Sequence, residues 1–291
     1  MPLQILRAMR PHQWVKNLFV LAPLVFAERA LFGQDFLRAA VAFGLFSALS
    51  GCVYILNDVV DVEGDRLHPT KRNRPIASGR LPLPLARFAL SGILLGTVVA
   101  SFLVSTDFAA IGLAYFTLNV GYSFSFKHVP FVDVMSIASG FLLRLLGGGV
   151  AIGVPITPWI LGVTFVLALY LGLGKRKHEL LQAGHRAGKQ RKVLDRYRLA
   201  HVRHAMLASG FATVAAYTAY TVLGQHAGRL FHPQDLAWTI PSVAVGLWRF
   251  NQLTNRAEEG RSPTDLMLAD KLFLANLAVW ALIVVLVIYV P

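Results

Sequence analysis

The chain has 291 residues, of which 55% are hydrophobic and only 15% are charged. Soluble domains usually contain about 25% charged residues, so this composition excludes an ordinary soluble protein. The net charge of +13 would favour nucleic-acid binding in a soluble protein. No basic face is interleaved with aromatic residues here, so we expect no nucleic-acid partner. The one cysteine, Cys52, excludes an internal disulfide and a metal cluster built on thiolates.

Apolar segments long enough to cross a bilayer occur along the whole chain, which predicts an all-α integral membrane protein. We predict nine spans, at 16–30, 36–57, 83–104, 107–124, 131–153, 156–174, 200–223, 234–252 and 271–290. The first is the shortest, and we expect it to be tilted or partly interfacial. No low-complexity linker divides the sequence, so we expect one transmembrane domain over residues 1–291. The glycine cluster Gly147, Gly148 and Gly149 predicts close helix packing.

The Lys and Arg residues outside the predicted spans are distributed very unevenly between the two sides of the membrane. One side holds twenty and the other holds two, Arg29 and Arg229. The twenty come from the N-terminal segment and the connections at 58–82, 125–130, 175–199 and 253–270. Cytoplasmic loops of membrane proteins carry an excess of Lys and Arg. The sequence therefore predicts a multi-pass protein of the inner or plasma membrane with its large charged loops in the cytoplasm.

A stripe of carboxylates follows the second predicted span. Asp58, Asp61 and Asp65 have the spacing i, i+3, i+7, which places them on one helix face. Like charges this close repel, and a divalent cation relieves the repulsion. Oxygen ligands suit Mg²⁺, which usually takes one or two carboxylates plus substrate phosphate oxygens. The stripe predicts a Mg²⁺ site, the alternative being a solvated helix end paired with nearby Lys and Arg.

Basic residues follow these carboxylates in the same connection, among them Lys71, Arg72 and Arg74. The guanidinium group offers a fork of donors that suits phosphate oxygens. Metal-binding carboxylates beside phosphate-binding cations would suit a diphosphate leaving group. The alternative is that these cations only contribute to the positive charge of a cytoplasmic loop.

The stretch "NDVVDVEGD" and the downstream "KRNRPIASG" resemble the first aspartate-rich motif of the UbiA prenyltransferase superfamily. The pattern of that motif is N-D-x-x-D-x-x-x-D followed by R-P-x-x-S-G. The resemblance implies about nine transmembrane helices around a central cavity, with loops that cap the cytoplasmic side. It also implies an enzyme that binds Mg²⁺ and a diphosphate at an active site facing the cytoplasm.

The connection after the sixth predicted span departs from the usual pattern of this superfamily. Typical members carry a second aspartate-rich motif there, whereas this chain reads "GKRKHEL", with Lys175, Arg176 and one acid, Glu179. Together with "MRPHQWVKN", "YSFSFKHVPFVDVMSIASGFLLR" and "RSPTDLMLADKLF", this segment resembles the decaprenyl-phosphate phosphoribosyltransferase branch. The resemblance covers almost the whole chain.

That branch implies Mg²⁺-dependent transfer of phosphoribosyl from phosphoribosyl pyrophosphate to a polyprenyl phosphate of the decaprenyl type, with release of pyrophosphate, in cell-wall biosynthesis. The alternative is a prenyltransferase that moves a prenyl chain from its diphosphate to an aromatic or other acceptor, and the missing second motif counts against it. A transporter is disfavoured because the charges gather at one face rather than at the bilayer midplane. The oligomeric state stays open, a homo-oligomer included.

Other candidate site residues lie within or beside the first, fourth and fifth predicted spans. Tyr122 and Lys127 resemble a substrate-binding pair of the superfamily. Ionisable residues inside a span indicate function by default. We expect Asp133 to bind ribose hydroxyls or a cation and Arg144 to bind a phosphate, with ion pairing inside the bundle as the alternative. Lys16 is either a site residue or an anchor whose ammonium reaches the membrane interface.

The full candidate set divides by role. The catalytic candidates are Asp58, Asp61, Asp65, Lys127 and Asp133, with the first three as metal ligands. The substrate-binding candidates are Lys16, Asn17, Asn57, Lys71, Arg72, Arg74, Tyr122, Arg144, Lys175, Arg176 and Glu179.

Overall fold

Every regular element in the described part of the protein is helical, which confirms the predicted fold class. The computed structural model describes residues 1–68, 70–183, 192–223, 233–256 and 261–290. Its α-helices are α1 (Pro2–Ala8), α2 (Ala22–Phe26), α3 (Gly33–Val60), α4 (Val62–Leu67), α5 (Leu83–Val104), α6 (Thr106–Phe124), α7 (Val132–Ala151), α8 (Pro158–Ala183), α9 (Leu199–Leu223), α10 (Ile240–Thr254), α11 (Pro263–Ala269) and α12 (Lys271–Tyr289). Its 3₁₀ helices are Pro11–Leu21, Lys71–Asn73, Phe126–His128, Lys192–Arg196 and Pro233–Thr239.

Six of the described helices, α3, α5, α7, α8, α9 and α12, are long and apolar enough to cross a membrane. Each corresponds to a predicted span, and α6 corresponds to the span predicted at 107–124. The helix α8 continues to Ala183, well past the predicted end at residue 174. The predicted count of nine spans is not confirmed. Three of the nine Lys and Arg residues counted in the 175–199 connection fall at 184–191, and Arg229 falls at 224–232, outside the described residues.

The first predicted span, 16–30, is not one helix in the structure. A 3₁₀ helix, Pro11–Leu21, leads into the five-residue α2. Pro23 has no backbone N–H, so a continuous α-helix through this position would lose a hydrogen bond and crowd the preceding turn. The span predicted at 234–252 is also divided, because a 3₁₀ helix, Pro233–Thr239, precedes α10.

The described chain packs as two compact units. The first contains Met1–Val25, Arg29–Phe126 and Leu143–Ile156. The second contains Phe26–Glu28, Lys127–Leu142 and Thr157–Pro291. The helix α7 thus contributes its first half to the second unit and its second half to the first. The single transmembrane domain over residues 1–291 stays a prediction.

Aromatic packing organises the core of the first unit. The Phe46 ring meets the rings of Phe108 and Tyr115 edge to face, with centroids 5.7 and 5.5 Å apart. All three side chains are buried, and burial of a large apolar side chain contributes about 1.5–3 kcal/mol. This packing fixes α3 against α6, and α3 carries the predicted carboxylate stripe at its far end.

Close backbone approach at the glycine cluster completes this core. A Cβ atom added to Gly148 would overlap the backbone carbonyl of Val20, and one added to Gly147 would overlap the Phe46 ring. The missing side chains therefore let α7 lie directly against α3 and the 3₁₀ helix Pro11–Leu21. This agrees with the close packing predicted from the glycine cluster.

The second unit has its own core, which holds the basic segment "GKRKHEL" in place. Tyr170 packs on Phe250 and donates its hydroxyl proton to the Leu247 carbonyl at 2.6 Å. A Cβ atom on Gly174 would overlap the Phe250 ring, so α8 and α10 pack closely here. Arg176, Lys177 and His178, which come soon after Gly174, are consequently buried between helices.

We expect Gly148→Ala to destabilise the protein by about 1–3 kcal/mol, because the added methyl group must displace the Val20 backbone. The measurement is the thermal unfolding midpoint of the detergent-purified protein. The matched control is Gly162→Ala in α8, where an added Cβ meets nothing within 4 Å. Gly162→Ala is expected to be neutral or stabilising by up to about 1 kcal/mol. Equal midpoints for the two variants would contradict the packing argument.

Candidate active site

The predicted carboxylate stripe crosses a junction between two helices. The helix α3 ends at Val60, Asp61 lies between α3 and α4, and Asp65 lies in α4. Helical hydrogen bonding continues across the junction, because the Asp61 N–H donates to the Asn57 carbonyl and the Asp65 N–H donates to the Asp61 carbonyl, both at 2.9 Å. Asp58 and Asp65 are 1% and 3% exposed, whereas Asp61 is half-buried. The stripe therefore lies partly inside the first unit rather than on a solvated helix end.

Two arginines neutralise the buried carboxylates. Arg10 Nη2 donates to Asp58 Oδ1 at 2.5 Å, and its guanidinium stacks 4.8 Å from the centre of the Tyr54 ring. Arg74 Nη1 donates to Asp58 Oδ1 at 3.1 Å and to Asp65 Oδ2 at 2.6 Å. Arg74 was a predicted site residue, but Arg10 was not. The only sequence signal for Arg10 is its place in "MRPHQW", because the 48 residues between it and Asp58 hide the contact.

The carboxylates of this stripe are candidate ligands of a divalent metal. Among the residues described, no group of three or more His, Cys, Asp or Glu is gathered closely enough to hold a metal ion. Asp58 Oδ2, however, is buried and has no hydrogen-bond partner within the described ranges. A buried carboxylate oxygen without a partner is costly, and carboxylate oxygens are the ligands that Mg²⁺ prefers. Asp58 and Asp65 therefore fit a hard divalent cation that takes one or two carboxylates, and Asp61 as a third ligand stays a prediction.

The connection that carries Arg74 is anchored at both ends. Ile76 and Leu81 are buried in the same cluster as Met9 and Ile55 of the first unit. His68 Nδ1 accepts backbone N–H bonds from Thr70 at 3.2 Å and from Lys71 at 3.4 Å.

Burial lowers the pKa of His68, and the nearby positive charge of Lys71 lowers it further. The neutral ring is therefore favoured, as its acceptor role requires. Lys71 is half-buried and Arg72 is exposed, so the two predicted phosphate ligands differ in their access to solvent.

A second polar cluster lies deeper in the first unit. Arg144 Nε donates to Asn17 Oδ1 and Arg144 Nη2 donates to the Tyr115 hydroxyl, both at 2.7 Å. Asn17 Nδ2 in turn donates to the hydroxyls of Ser47 and Ser50 at 3.1 Å. The structure thus brings together two predicted site residues, Asn17 and Arg144, and adds Tyr115, which sequence reasoning missed.

The helix α3 links these two clusters. Ser47, Ser50, Tyr54 and Asp58 follow one another at intervals of three or four residues and therefore share one face of α3. Each makes a polar or cation–π contact with Asn17, Arg10 or Arg74. One polar stripe thus runs from the middle of α3 to its carboxylate end.

The basic segment of the second unit forms a buried ion-pair cluster. Arg176 is fully buried, its Nε lies 3.0 Å from Asp133 Oδ2, and its Nη1 pairs with Glu179 Oε2. The predicted residues Asp133, Arg176 and Glu179 therefore meet, and Lys175 lies half-buried beside them on α8. The contact of Asp133 with Arg176 corresponds to the alternative of ion pairing inside the bundle, and a role of Asp133 at the ribose stays a prediction.

Tyr197 completes this cluster and was not predicted. Its hydroxyl donates to Asp133 Oδ1 at 2.6 Å and accepts the Phe131 N–H at 2.6 Å. Burial raises the pKa of the Tyr197 hydroxyl, and its hydrogen bond to Asp133 raises it further. Phe131 has φ +65°, a left-handed conformation that is uncommon for a large residue. The Tyr197 contact therefore holds a strained residue at the start of α7.

The other basic residues of "GKRKHEL" contact a different helix. Lys177 Nζ donates to the Asn251 carbonyl at 3.1 Å and to Asn251 Oδ1 at 2.5 Å. The His178 ring lies within hydrogen-bonding distance of the carbonyls of Thr254 and Arg261, at 3.4 and 3.0 Å. Three consecutive residues, Arg176 to His178, are thus buried against different partners. Sequence reasoning treated them as one basic patch.

Three further candidate residues lie in other helices. Lys16 Nζ donates to Gln13 Oε1 at 2.6 Å within the 3₁₀ helix Pro11–Leu21. Tyr122 lies in the last turn of α6, in the first unit, and Lys127 lies in the 3₁₀ helix that follows, in the second unit. All three side chains are half-buried, so their roles stay predictions.

Comparison with known proteins identifies the family of this chain. Residues 17–277 match the UbiA prenyltransferase family. A decaprenyl-phosphate phosphoribosyltransferase of Corynebacterium glutamicum is 33% identical over 98% of this chain and 87% of its own length. The same enzyme of Mycolicibacterium smegmatis is 32% identical over 95% of this chain and 89% of its own.

Structural similarity points to the same fold. A UbiA homolog from Archaeoglobus fulgidus, bound to DMAPP and Mg²⁺, aligns over 99% of this chain and 100% of its own with a TM-score of 0.73 at 17% identity. At that identity the likeness shows the fold alone. With the family match and the two closer relatives, the conclusion is that this chain belongs to the UbiA prenyltransferase family, in the branch of the decaprenyl-phosphate phosphoribosyltransferases.

Proposed function

We propose that this multi-pass membrane protein transfers phosphoribosyl from phosphoribosyl pyrophosphate to a polyprenyl phosphate and releases pyrophosphate. One observation carries the proposal. The position of the second aspartate motif holds the buried Arg176, which pairs with Asp133 and Glu179. A cation there disfavours a second Mg²⁺ beside a prenyl diphosphate, and the half-buried Lys175 next to it suits a substrate that carries its own phosphate. The relatives named for this reaction support the same assignment.

The carboxylate cluster of the first unit is assigned to the metal and the leaving group. Asp58, Asp61 and Asp65 would hold Mg²⁺, which supplies positive charge to stabilise the departing pyrophosphate. Asp58 Oδ2, which has no hydrogen-bond partner in the described part of the chain, supports this assignment. The DMAPP and Mg²⁺ bound to the Archaeoglobus homolog support a metal-bound diphosphate in the family. Asn57 supports the stripe through the hydrogen bond of its carbonyl.

Cations on both units are assigned to substrate phosphates. In the first unit these are Arg144 and the connection residues Lys71, Arg72 and Arg74. In the second unit they are Lys175 and Arg176, with Glu179 orienting Arg176 through its ion pair. Tyr122, Lys127, Lys16 and Asn17 complete the proposed binding set.

The proposed reaction requires little acid–base catalysis from the protein. An oxygen of the lipid phosphate forms a bond to ribose C1 as the bond from C1 to the pyrophosphate oxygen breaks. The transition state has oxocarbenium character, as in glycosyl transfer generally. The nucleophile is already an anion at neutral pH, so a strong general base is unnecessary. The main contributions are positioning of the two substrates and stabilisation of charge.

The setting of the reaction is also part of the proposal. The concentration of Lys and Arg in the connections that carry the site supports an active site on the cytoplasmic side of the inner or plasma membrane. Asp133, held by Arg176 and Tyr197, is proposed to position groups around the ribose. The oligomeric state is left open.

The direct test incubates the purified protein with Mg²⁺, ribose-labelled phosphoribosyl pyrophosphate and a polyprenyl phosphate. We expect label to enter the lipid fraction only when Mg²⁺ and both substrates are present. Absence of lipid label, together with prenylation of an aromatic acceptor from a prenyl diphosphate, would favour the alternative reaction.

Two substitutions of acidic residues, one a test and one a control, examine the role of Asp61 in that assay. We expect Asp61→Asn to reduce Mg²⁺-dependent transfer by at least about a hundredfold with folding intact, because charge stabilisation at the leaving group is lost. The matched control is Glu63→Gln, since Glu63 lies two residues away, is exposed and, among the residues that the structure describes, pairs with Arg66 alone. Full transfer by Asp61→Asn would reject the metal role.

Arg74→Gln tests whether Arg74 and Mg²⁺ neutralise the same carboxylates. Loss of the guanidinium leaves Asp58 and Asp65 less compensated, so the unfolding midpoint without metal is expected to fall by about 5 °C. Added Mg²⁺ is expected to raise the midpoint more in this variant than in the wild type. The control is Arg66→Gln, which removes only an exposed pair worth little. An equal response to Mg²⁺ in all three proteins would contradict the shared role.

A further inference from the structure

A cavity of about 400 Å³ lies within the second unit and outside the residues assigned to the transfer reaction. Three helices line it, each with two residues spaced i and i+4. The lining residues are Lys177 and Leu181 of α8, Arg203 and Leu207 of α9, and Asn251 of α10 with Asn255 just after it.

Lys177 gives the cavity a buried positive charge. The residue is 2% exposed, and Asn251 holds its ammonium group through two acceptor oxygens at 3.1 and 2.5 Å. An ammonium group has three donors, so one donor remains after the two bonds to Asn251. Within the described residues the cavity thus contains a fixed cation with a donor available to a ligand.

Arg203 adds a second positive charge to the same cavity. Its side chain is exposed, and the described lining contains no Asp or Glu. Two cations facing one space repel, and an anion between them removes the repulsion. Arg and Lys together with the Asn251 and Asn255 amides offer the donors that phosphate oxygens accept. The chemistry of the lining therefore selects a phosphate group.

Apolar residues continue from this charged cavity along α9. Leu207 and Phe211 follow Arg203 at intervals of four residues and are 49% and 77% exposed. They belong to a helix that is long and apolar enough to span a membrane. Along this face of α9, a cation is followed by exposed apolar side chains. A phospholipid presents the matching order, a phosphate headgroup and then an acyl chain.

We propose that this cavity binds the phosphate group of an anionic membrane phospholipid, with Lys177 and Arg203 as its cations and Leu207 and Phe211 along its chain. The site is separate from the proposed transfer reaction and does not depend on it. Its occupant would be a lipid of the surrounding bilayer.

The test uses native mass spectrometry of the delipidated full-length protein titrated with phosphatidylglycerol, phosphatidylcholine or inorganic phosphate. We expect saturable binding of phosphatidylglycerol and markedly weaker binding of phosphatidylcholine. Arg203→Gln is expected to weaken phosphatidylglycerol binding about tenfold, because one charge-assisted contact to the phosphate is lost. Asn255→Asp is expected to weaken it at least as much by placing a carboxylate in the lining. Unchanged unfolding midpoints would show that both variants fold.

Arg198→Gln is the matched control. Arg198 is exposed and lies five residues before Arg203, but it does not line the cavity. We expect its phosphatidylglycerol affinity to equal that of the wild type. Equal affinity in the wild type and Arg203→Gln would overturn the proposal, as would an equal loss in Arg198→Gln. Binding of inorganic phosphate without phosphatidylglycerol binding would also overturn it, because the occupant would then be a soluble anion.

Discussion

Buried carboxylates at the end of a membrane helix require positive charge beside them, and this requirement organises the first unit. Asp58 and Asp65 are almost fully buried, and an uncompensated buried charge is strongly unfavourable. Arg10 and Arg74 supply the compensation from sequence positions far apart. Two otherwise separate pieces of chain, the N-terminal segment and the connection after α4, are therefore bound to the same helix end. A bound Mg²⁺ would meet the same requirement.

In the second unit a buried cation requires negative charge beside it. Arg176 is fully buried, and it is compensated by Asp133, which is equally buried, and by Glu179. Tyr197 fixes the other oxygen of Asp133, so the orientation of the carboxylate is set. The exchange of an aspartate motif for "GKRKHEL" is thus more than a change of surface charge. Where the resemblance to the superfamily implies an aspartate motif, this chain has an ion-pair cluster built into α7 and α8.

Local features of this protein were predictable from sequence, whereas the partners of its buried charges were not. The long helices and the carboxylate stripe follow from hydropathy and spacing along a single segment. Three decisive contacts join residues that are 48, 127 and 64 positions apart: Arg10 with Asp58, Arg144 with Asn17, and Tyr197 with Asp133. Hydropathy and residue spacing within one segment give no information on contacts between residues so far apart in the sequence. The broken first span was missed because hydropathy does not register the lost N–H of Pro23.

The central claim is that the inverted charge of the second motif changes the diphosphate that the enzyme accepts. The most direct measurement compares donors by the thermal stabilisation that each gives to the purified protein with Mg²⁺. We predict that phosphoribosyl pyrophosphate raises the unfolding midpoint in a Mg²⁺-dependent way and that a prenyl diphosphate at equal concentration raises it far less. A Mg²⁺-dependent shift with the prenyl diphosphate alone, and none with phosphoribosyl pyrophosphate, would contradict the account.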